Sequence, residues 1–169
     1  MQSLHSIYNF INISKFFDSN GFTMPTIQFA NLWKNHPYPK SPCNTSLFEN
    51  QCAIRMGVAL EKSGIDTSGF DKKFPQRRCY PGLKHSPRHI LAAQELASWL
   101  DSPPYFFGTK EIIKTNRAAK LKHRKGIIFV QNGWGSTDHI DVWNGTDMKG
   151  GAPDWIDYGD AIWFWEMKS

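Results

Sequence analysis

Asn50-Gln51-Cys52-Ala53-Ile54-Arg55-Met56-Gly57 reads as a loop running into the first turn of a helix, with a cysteine at its start. Asn50 can cap that helix, Ile54, Val58 and the set Met56, Ala59 and Leu60 supply an inward stripe, and Gly64 is a natural stop. A thiol in the first turn meets free backbone N–H groups and the positive end of the helix dipole. Both favour the thiolate, which is the reactive form of cysteine. Gly57 is costly inside a helix and predicts close packing of another backbone against it.

Outward from this helix the pattern changes twice. Upstream, Ile27, Phe29, Leu32 and Trp33 predict a short helix ending near His36-Pro37, followed by an extended Pro-rich loop. Downstream, residues 65–85 carry no clear period and read as an irregular excursion. Ser86 as cap and Pro87 in the first turn then predict a helix that runs through Ile90, Ala93, Leu96, Ala97 and Leu100 to Pro103-Pro104, with His89 in a structural role near its start. From Gly126 onward, strands are expected at Ile127 to Val130, His139 to Trp143 and Ala161 to Glu166, separated by Gly-rich and Asp-rich turns. Helices first and antiparallel strands after make an α+β fold, with N-terminal helices packed on an antiparallel sheet.

Composition bounds the function classes. A chain of 169 residues with 40% hydrophobic and 14% aromatic residues supports one globular domain rather than a disordered chain. No run is long enough to span a bilayer. The segment Met1 to Thr23 is broken by Asn12, Ser14 and Lys15 and makes a poor signal peptide. It is read either as an arm before a domain over 24–169 or as a stretch preceding a true start at Met24.

The net charge of +5 favours anionic partners. Lys110, Lys114, Arg117, Lys120, Lys122, His123, Arg124 and Lys125 crowd one segment, read as a solvated, partly helical connector. A basic, non-catalytic protein gripping nucleic acid through this segment is the rival reading. No nucleic-acid fold motif accompanies the charge, so no nucleic-acid partner is expected.

Three cysteines cannot all be paired. With Cys52 as a working thiol, Cys43 and Cys79 remain as a possible disulfide. No metal or other cofactor is expected, since no C-x-x-C spacing occurs and Cys43, Cys79 and His85 would need an unseen fourth ligand.

A cysteine hydrolase needs a thiolate, an imidazole to pair with it, a group to orient that imidazole, and donors for the oxyanion. The backbone N–H of Cys52 is a ready oxyanion donor, and Gln51 beside it is a second candidate. Of the six histidines, His139 alone begins a strand beside Gly-rich backbone, in Gly133-Trp134-Gly135-Ser136-Thr137-Asp138-His139. Trp134, Trp143 and Asn132 are candidates for lining a substrate groove.

Asn50 to Met56, the pair Gly133-Trp134, the run His139 to Gly145, and Ile162-Trp163-Phe164-Trp165-Glu166 resemble, in the same order, the blocks of the fourth family of type VI secretion amidase effectors. The resemblance runs from about Met24 to the end and implies a papain-like, NlpC-type cysteine hydrolase. It further implies an antibacterial enzyme that cuts the peptidoglycan stem peptide between D-glutamate and meso-diaminopimelate. Such an effector is made in the cytoplasm without a signal peptide and delivered by the type VI apparatus into a recipient's periplasm, and a cognate immunity protein protects the producer. A housekeeping NlpC-type wall hydrolase is the runner-up. Cys52 matches the family's nucleophile and His139 its general base.

The third member is less direct. The family carries an aspartate on the strand returning after the His, where this chain has Gly150 and Gly151. A hairpin turning around Gly145 to Met148 would bring residues 152–155 opposite His139, which selects Asp154. Asp141 shares the strand face of His139 and is a rival; Asp157 is a weaker one. Asp138 stands where the family commonly has Gly, and a carboxylate there would raise the imidazole pKa.

Overall fold

Residues 15–17 and 23–168 are described by the computed structural model, so most of the N-terminal arm lies outside the described residues. Within that arm, β1 (Lys15–Phe17) pairs antiparallel with β2 (Thr23–Pro25). The helices are α1 (Phe29–Asn35), α2 (Cys52–Lys62), α3 (Ser68–Lys73), α4 (Ala93–Leu100) and α5 (Arg117–Leu121). The strands β3 (Glu111–Ile113), β4 (Gly126–Trp134), β5 (Thr137–Trp143) and β6 (Ala161–Glu166) form one antiparallel sheet in the order β3-β6-β4-β5.

Period-2 alternation makes both faces of this sheet apolar. Ile127 and Phe129 on β4, Ile140 and Val142 on β5, and Trp165 on β6 face the helices, packing against Leu32, Met56, Leu60, Leu96 and Leu100. Ile128, Val130, Ile162 and Phe164 build a second core with Ile113, Leu121, Trp143, Met148 and Ile156. The predicted α+β order is thus present, and β5 at the sheet edge is the strand that α2 packs against.

Three local readings change. The helix expected from Pro87 begins only at Ala93, because the preceding backbone is spent on a bridge between Arg78 and Ile90 and a Cys79 N–H bond to the His89 carbonyl. Gly57 meets the side chain of Ile90, at 3.7 Å from where a Cβ would lie, and not another backbone. The basic connector contains β3 and α5, and much of its charge is structural. Arg117 is buried and donates to the carbonyls of Ile156, Tyr158 and Gly159, while Arg124 bridges Glu111 and Glu166. Among the described residues no helix is long and apolar enough to cross a membrane.

Candidate active site

Helix α2 starts at Cys52, preceded by Gln51 at the cap position with no side-chain capping bond, so Asn50 does not cap it. Its far end is closed as expected. Gly64, at φ +93°, donates to the Glu61 carbonyl and Ile65 to that of Leu60, the paired bonds of a Schellman ending. A helix fixed at both ends and buried along Ala53, Ile54, Met56, Ala59 and Leu60 holds the first-turn thiol against the edge strand.

On β5 the side chains of His139 and Asp141 lie on one face and those of Ile140 and Val142 on the other. His139 Nε2 lies 3.1 Å from Asp141 Oδ2. The Cys52 thiol borders the same cleft as the His139 imidazole, and that ring, with the backbone N–H groups of Ile140 and Ala53, favours its ionised form. With Nε2 committed to Asp141, Nδ1 is the ring nitrogen left for sulfur. The structure therefore brings Cys52, His139 and Asp141 into one line.

The electrostatics follow from these contacts. Burial disfavours ionisation of the Cys52 thiol, but the hydrogen bond and charge of His139, with the Ile140 and Ala53 amides, outweigh it and hold its pKa below the ordinary thiol value. Burial likewise opposes a charged His139, yet its bonds to Asp141 and Cys52 prevail and raise the imidazole to about 9. Thiolate and imidazolium therefore stabilise each other.

Asp154 is not part of this line. It sits in the short 3-10 turn Pro153–Asp157, where its Oδ2 accepts a bond from the Tyr158 hydroxyl at 3.2 Å. The expected returning strand does not form. After the turn held by Asn144 Oδ1, only Trp143 and Met148 bridge, and the chain becomes an irregular strap. The paired neighbour of β5 is β4, with Val130 opposite His139. Asp157 lies at the end of the same 3-10 turn. Asp138 accepts the Asn132 N–H at 2.8 Å, bracing the irregularity in β4.

Two participants were missed in the sequence. Asp141 is 1% exposed and accepts further bonds from the Val142 and Gly150 amides, each 2.8 Å, while His36 Nε2 lies 3.5 Å from its Oδ1. Burial, opposed by Asp141, lowers His36 to about 4, so its ring is neutral near pH 7. The Tyr38 amide donates to His36 Nδ1, which leaves Nε2–H to face the carboxylate. A histidine closing a helix before Pro37 gave no sign of this role. Trp155 is the second, standing edge-to-face on His139 with centroids 4.9 Å apart and on Trp134 at 4.8 Å.

The line opens into a cleft of about 390 Å³ walled by Glu49, Asn50, Arg55, Trp134, Asp138 and Trp155. Trp134 is thus on the cleft wall, whereas Trp143 is core, its indole bonded to the Leu121 carbonyl, and Asn132 bonds to Asp160. Gln51 borders the cleft but is 5% exposed, and its side chain is tied to the Phe48 carbonyl and the Cys43 amide.

Structures of known proteins resemble this fold. The Tae4–Tai4 effector-immunity complex of Salmonella Typhimurium aligns with a TM-score of 0.62 at 17% identity, covering 84% of this chain and 98% of that one. The type VI effector Tae4 of Enterobacter cloacae aligns at 0.61 and 18% identity, covering 83% and 96%. The Salmonella typhimurium Tae4 bound to Tai4 of Enterobacter cloacae aligns at 0.61 and 18%, covering 84% and 99%. No curated protein sequence matches. The fold is thus the papain-like, NlpC-type one expected. A family model described as type VI secretion system amidase effector protein 4 matches residues 48–165, a span holding both Cys52 and His139, and the chain belongs to that family of type VI amidase effectors.

Proposed function

We propose that the chain hydrolyses the peptide stems of peptidoglycan as a cysteine amidase, at the amide between D-glutamate and meso-diaminopimelate, with Cys52 as nucleophile, His139 as general acid and base, and Asp141 as the residue that orients His139. The observation that carries this reading is the placement of the Cys52 thiol and the His139 ring on one cleft of about 390 Å³, with His139 Nε2 held 3.1 Å from Asp141 Oδ2.

In this mechanism the Cys52 thiolate attacks the stem carbonyl, and the backbone N–H of Cys52 at the start of α2 receives the developing oxyanion. Gln51 is not assigned that task, since its amide is already engaged with Phe48. The His139 imidazolium protonates the departing diaminopimelate amine, leaving a thioester on Cys52. The neutral ring then takes a proton from water, whose oxygen attacks the thioester and releases the D-glutamyl carboxylate. Asp141 holds the ring and balances its positive charge, and its four partners keep the carboxylate in place.

The family supports delivery of the enzyme by the type VI apparatus into the periplasm of a recipient cell. The Tae4–Tai4 complexes among its structural relatives support a cognate immunity protein as partner of this chain too. The test is digestion of purified sacculi with the wild type and with Cys52→Ala, reading released muropeptides by mass spectrometry. Cleavage at the D-glutamate to diaminopimelate bond by the wild type alone is expected. Identical products from both proteins overturn the mechanism, and cleavage at another amide overturns the assigned bond.

A further inference from the structure

Outside the catalytic line, the loop before α2 and the irregular 74–92 segment bring four soft or borderline donors together. The ligand atoms of Cys43, Cys79, His85 and His89 lie within 4.8 Å of one another. Cys43 Sγ is 3.8 Å from His85 Nε2, and the two imidazole rings have centroids 4.0 Å apart. With Zn–S near 2.3 Å and Zn–N near 2.0 Å, the edges of a tetrahedral Cys₂His₂ complex measure roughly 3.3–3.8 Å. The widest separation in the cluster exceeds that range by about 1 Å.

We propose that Cys43, Cys79, His85 and His89 form a structural zinc site that staples the loop before α2 to the 74–92 segment.

Several independent features fit a metal better than a plain core. His89 is nine-tenths buried, and its Nδ1 has no hydrogen-bond partner among the described residues. A disulfide between the neighbouring Cys43 and Cys79 thiols would leave that orphaned nitrogen and the convergence of two imidazoles unexplained. The His89 amide lies 3.2 Å from Cys79 Sγ, an N–H bond of the kind that supports a zinc-bound thiolate from outside the ligand shell. Ile54, Phe48, Leu83 and Leu91 surround the thiols with apolar groups. On binding, the two cysteines release their thiol protons to solvent, so zinc, two thiolates and two neutral imidazoles carry no net charge, as a buried apolar site requires. Tetrahedral S₂N₂ donors select zinc among common divalent ions.

Such a site has a clear structural use. The 74–92 segment has little regular structure, and a metal cross-link offsets the entropy of ordering it. Its other anchor reaches the active site, because the Cys43 amide donates to the side chain of Gln51, the residue before the nucleophile.

The test uses the full chain, free of any affinity tag and purified anaerobically from zinc-supplemented cells without chelator. Elemental analysis is expected to find one zinc per chain, and exchange with cobalt(II) to give the intense visible absorption of a tetrahedral site together with thiolate-to-cobalt charge transfer. His89→Gln and Cys79→Ser are expected to lose the metal while Cys52→Ser keeps it. Chelation should lower the melting temperature of the wild type. Metal-free protein, a Cys43–Cys79 disulfide in that reduced preparation, or a cobalt spectrum without thiolate charge transfer overturns the proposal. So does loss of zinc in Cys52→Ser, which would move the metal to the catalytic thiol. The cobalt spectrum of the wild type decides the matter even where a variant fails to fold.

Discussion

Asp141, buried behind the cleft, meets His139, His36 and the Val142 and Gly150 amides, and its removal has consequences that a merely structural residue would not show. Asp141→Asn keeps the shape but loses the negative charge that holds the His139 ring. Turnover is expected to fall on the order of 100-fold. The pH profile adds a second reading. Activity requires the imidazolium, which in the wild type loses its proton near about 9, so the alkaline limb lies there. Asp141 raises that value, so in Asp141→Asn the limb must move to lower pH; an unchanged or higher limb contradicts the assignment. Asp154→Ala is expected to retain wild-type turnover, since its carboxylate faces Tyr158. His36→Gln removes a buried imidazole beside Asp141 and is expected to cost roughly tenfold in kcat, the equivalent of one modest hydrogen bond to a charged group. The i, i+2 relation of His139 and Asp141 was legible in the sequence, because a strand places them on one face whatever its neighbours. His36 was not, since nothing local to α1 reveals that its end abuts Asp141.

At the scale of elements, α2 was readable from its apolar period and the Gly64 stop and β5 from alternation, and they are the two elements that carry the reacting groups. The strap after β5 was not. Asn144 to Asp147 form a turn, as the Asn and Gly residues foretell, but pairing beyond Met148 depends on whether partners lie opposite, which is a long-range property. Here the strap gives up strand pairing to donate the Gly150 amide to Asp141 and to lay Trp155 on His139. Gly151 permits this approach. A Cβ there would lie 2.7 Å from the Trp155 ring and 3.1 Å from His139 Nε2. Gly151→Ala is expected to destabilise by roughly 1–3 kcal/mol through overpacking and to depress turnover, measured by chemical denaturation and muropeptide release. Unchanged values in both would show that the strap does not constrain the imidazole. The zinc cluster was hidden at this scale as well. His85 and His89 do stand at H-x-x-x-H spacing, but Cys43 and Cys79 lie on separate irregular segments whose meeting no period announces, and the helix expected to hold His89 starts only at Ala93.

Across the whole molecule, the fold rests on a sheet with apolar residues on both faces, and burial extends to groups that then resist protonation. His36 titrates at 6.5 when unfolded and only near about 4 in the fold. Between these values the unfolded chain binds a proton that the folded one excludes, so stability falls as pH drops from 6.5 toward 4 and levels below. The span is worth roughly 3 kcal/mol at most. His36→Gln should make that part of a stability-against-pH curve recorded by denaturant titration less steep, and an equally steep curve would contradict a neutral buried His36. The net charge of +5 is likewise a property of the whole surface, with Arg117 and Arg124 already engaged within the fold. All of the chemistry proposed for the cleft depends on Cys52 being a thiolate because His139 is its counter-ion. The most direct measurement is the rate of iodoacetamide alkylation at Cys52, located by mass spectrometry, as a function of pH in the wild type and in His139→Ala. Fast alkylation well below the ordinary thiol range in the wild type, shifted to higher pH in His139→Ala, is the predicted result. Superimposable profiles for the two proteins would contradict it.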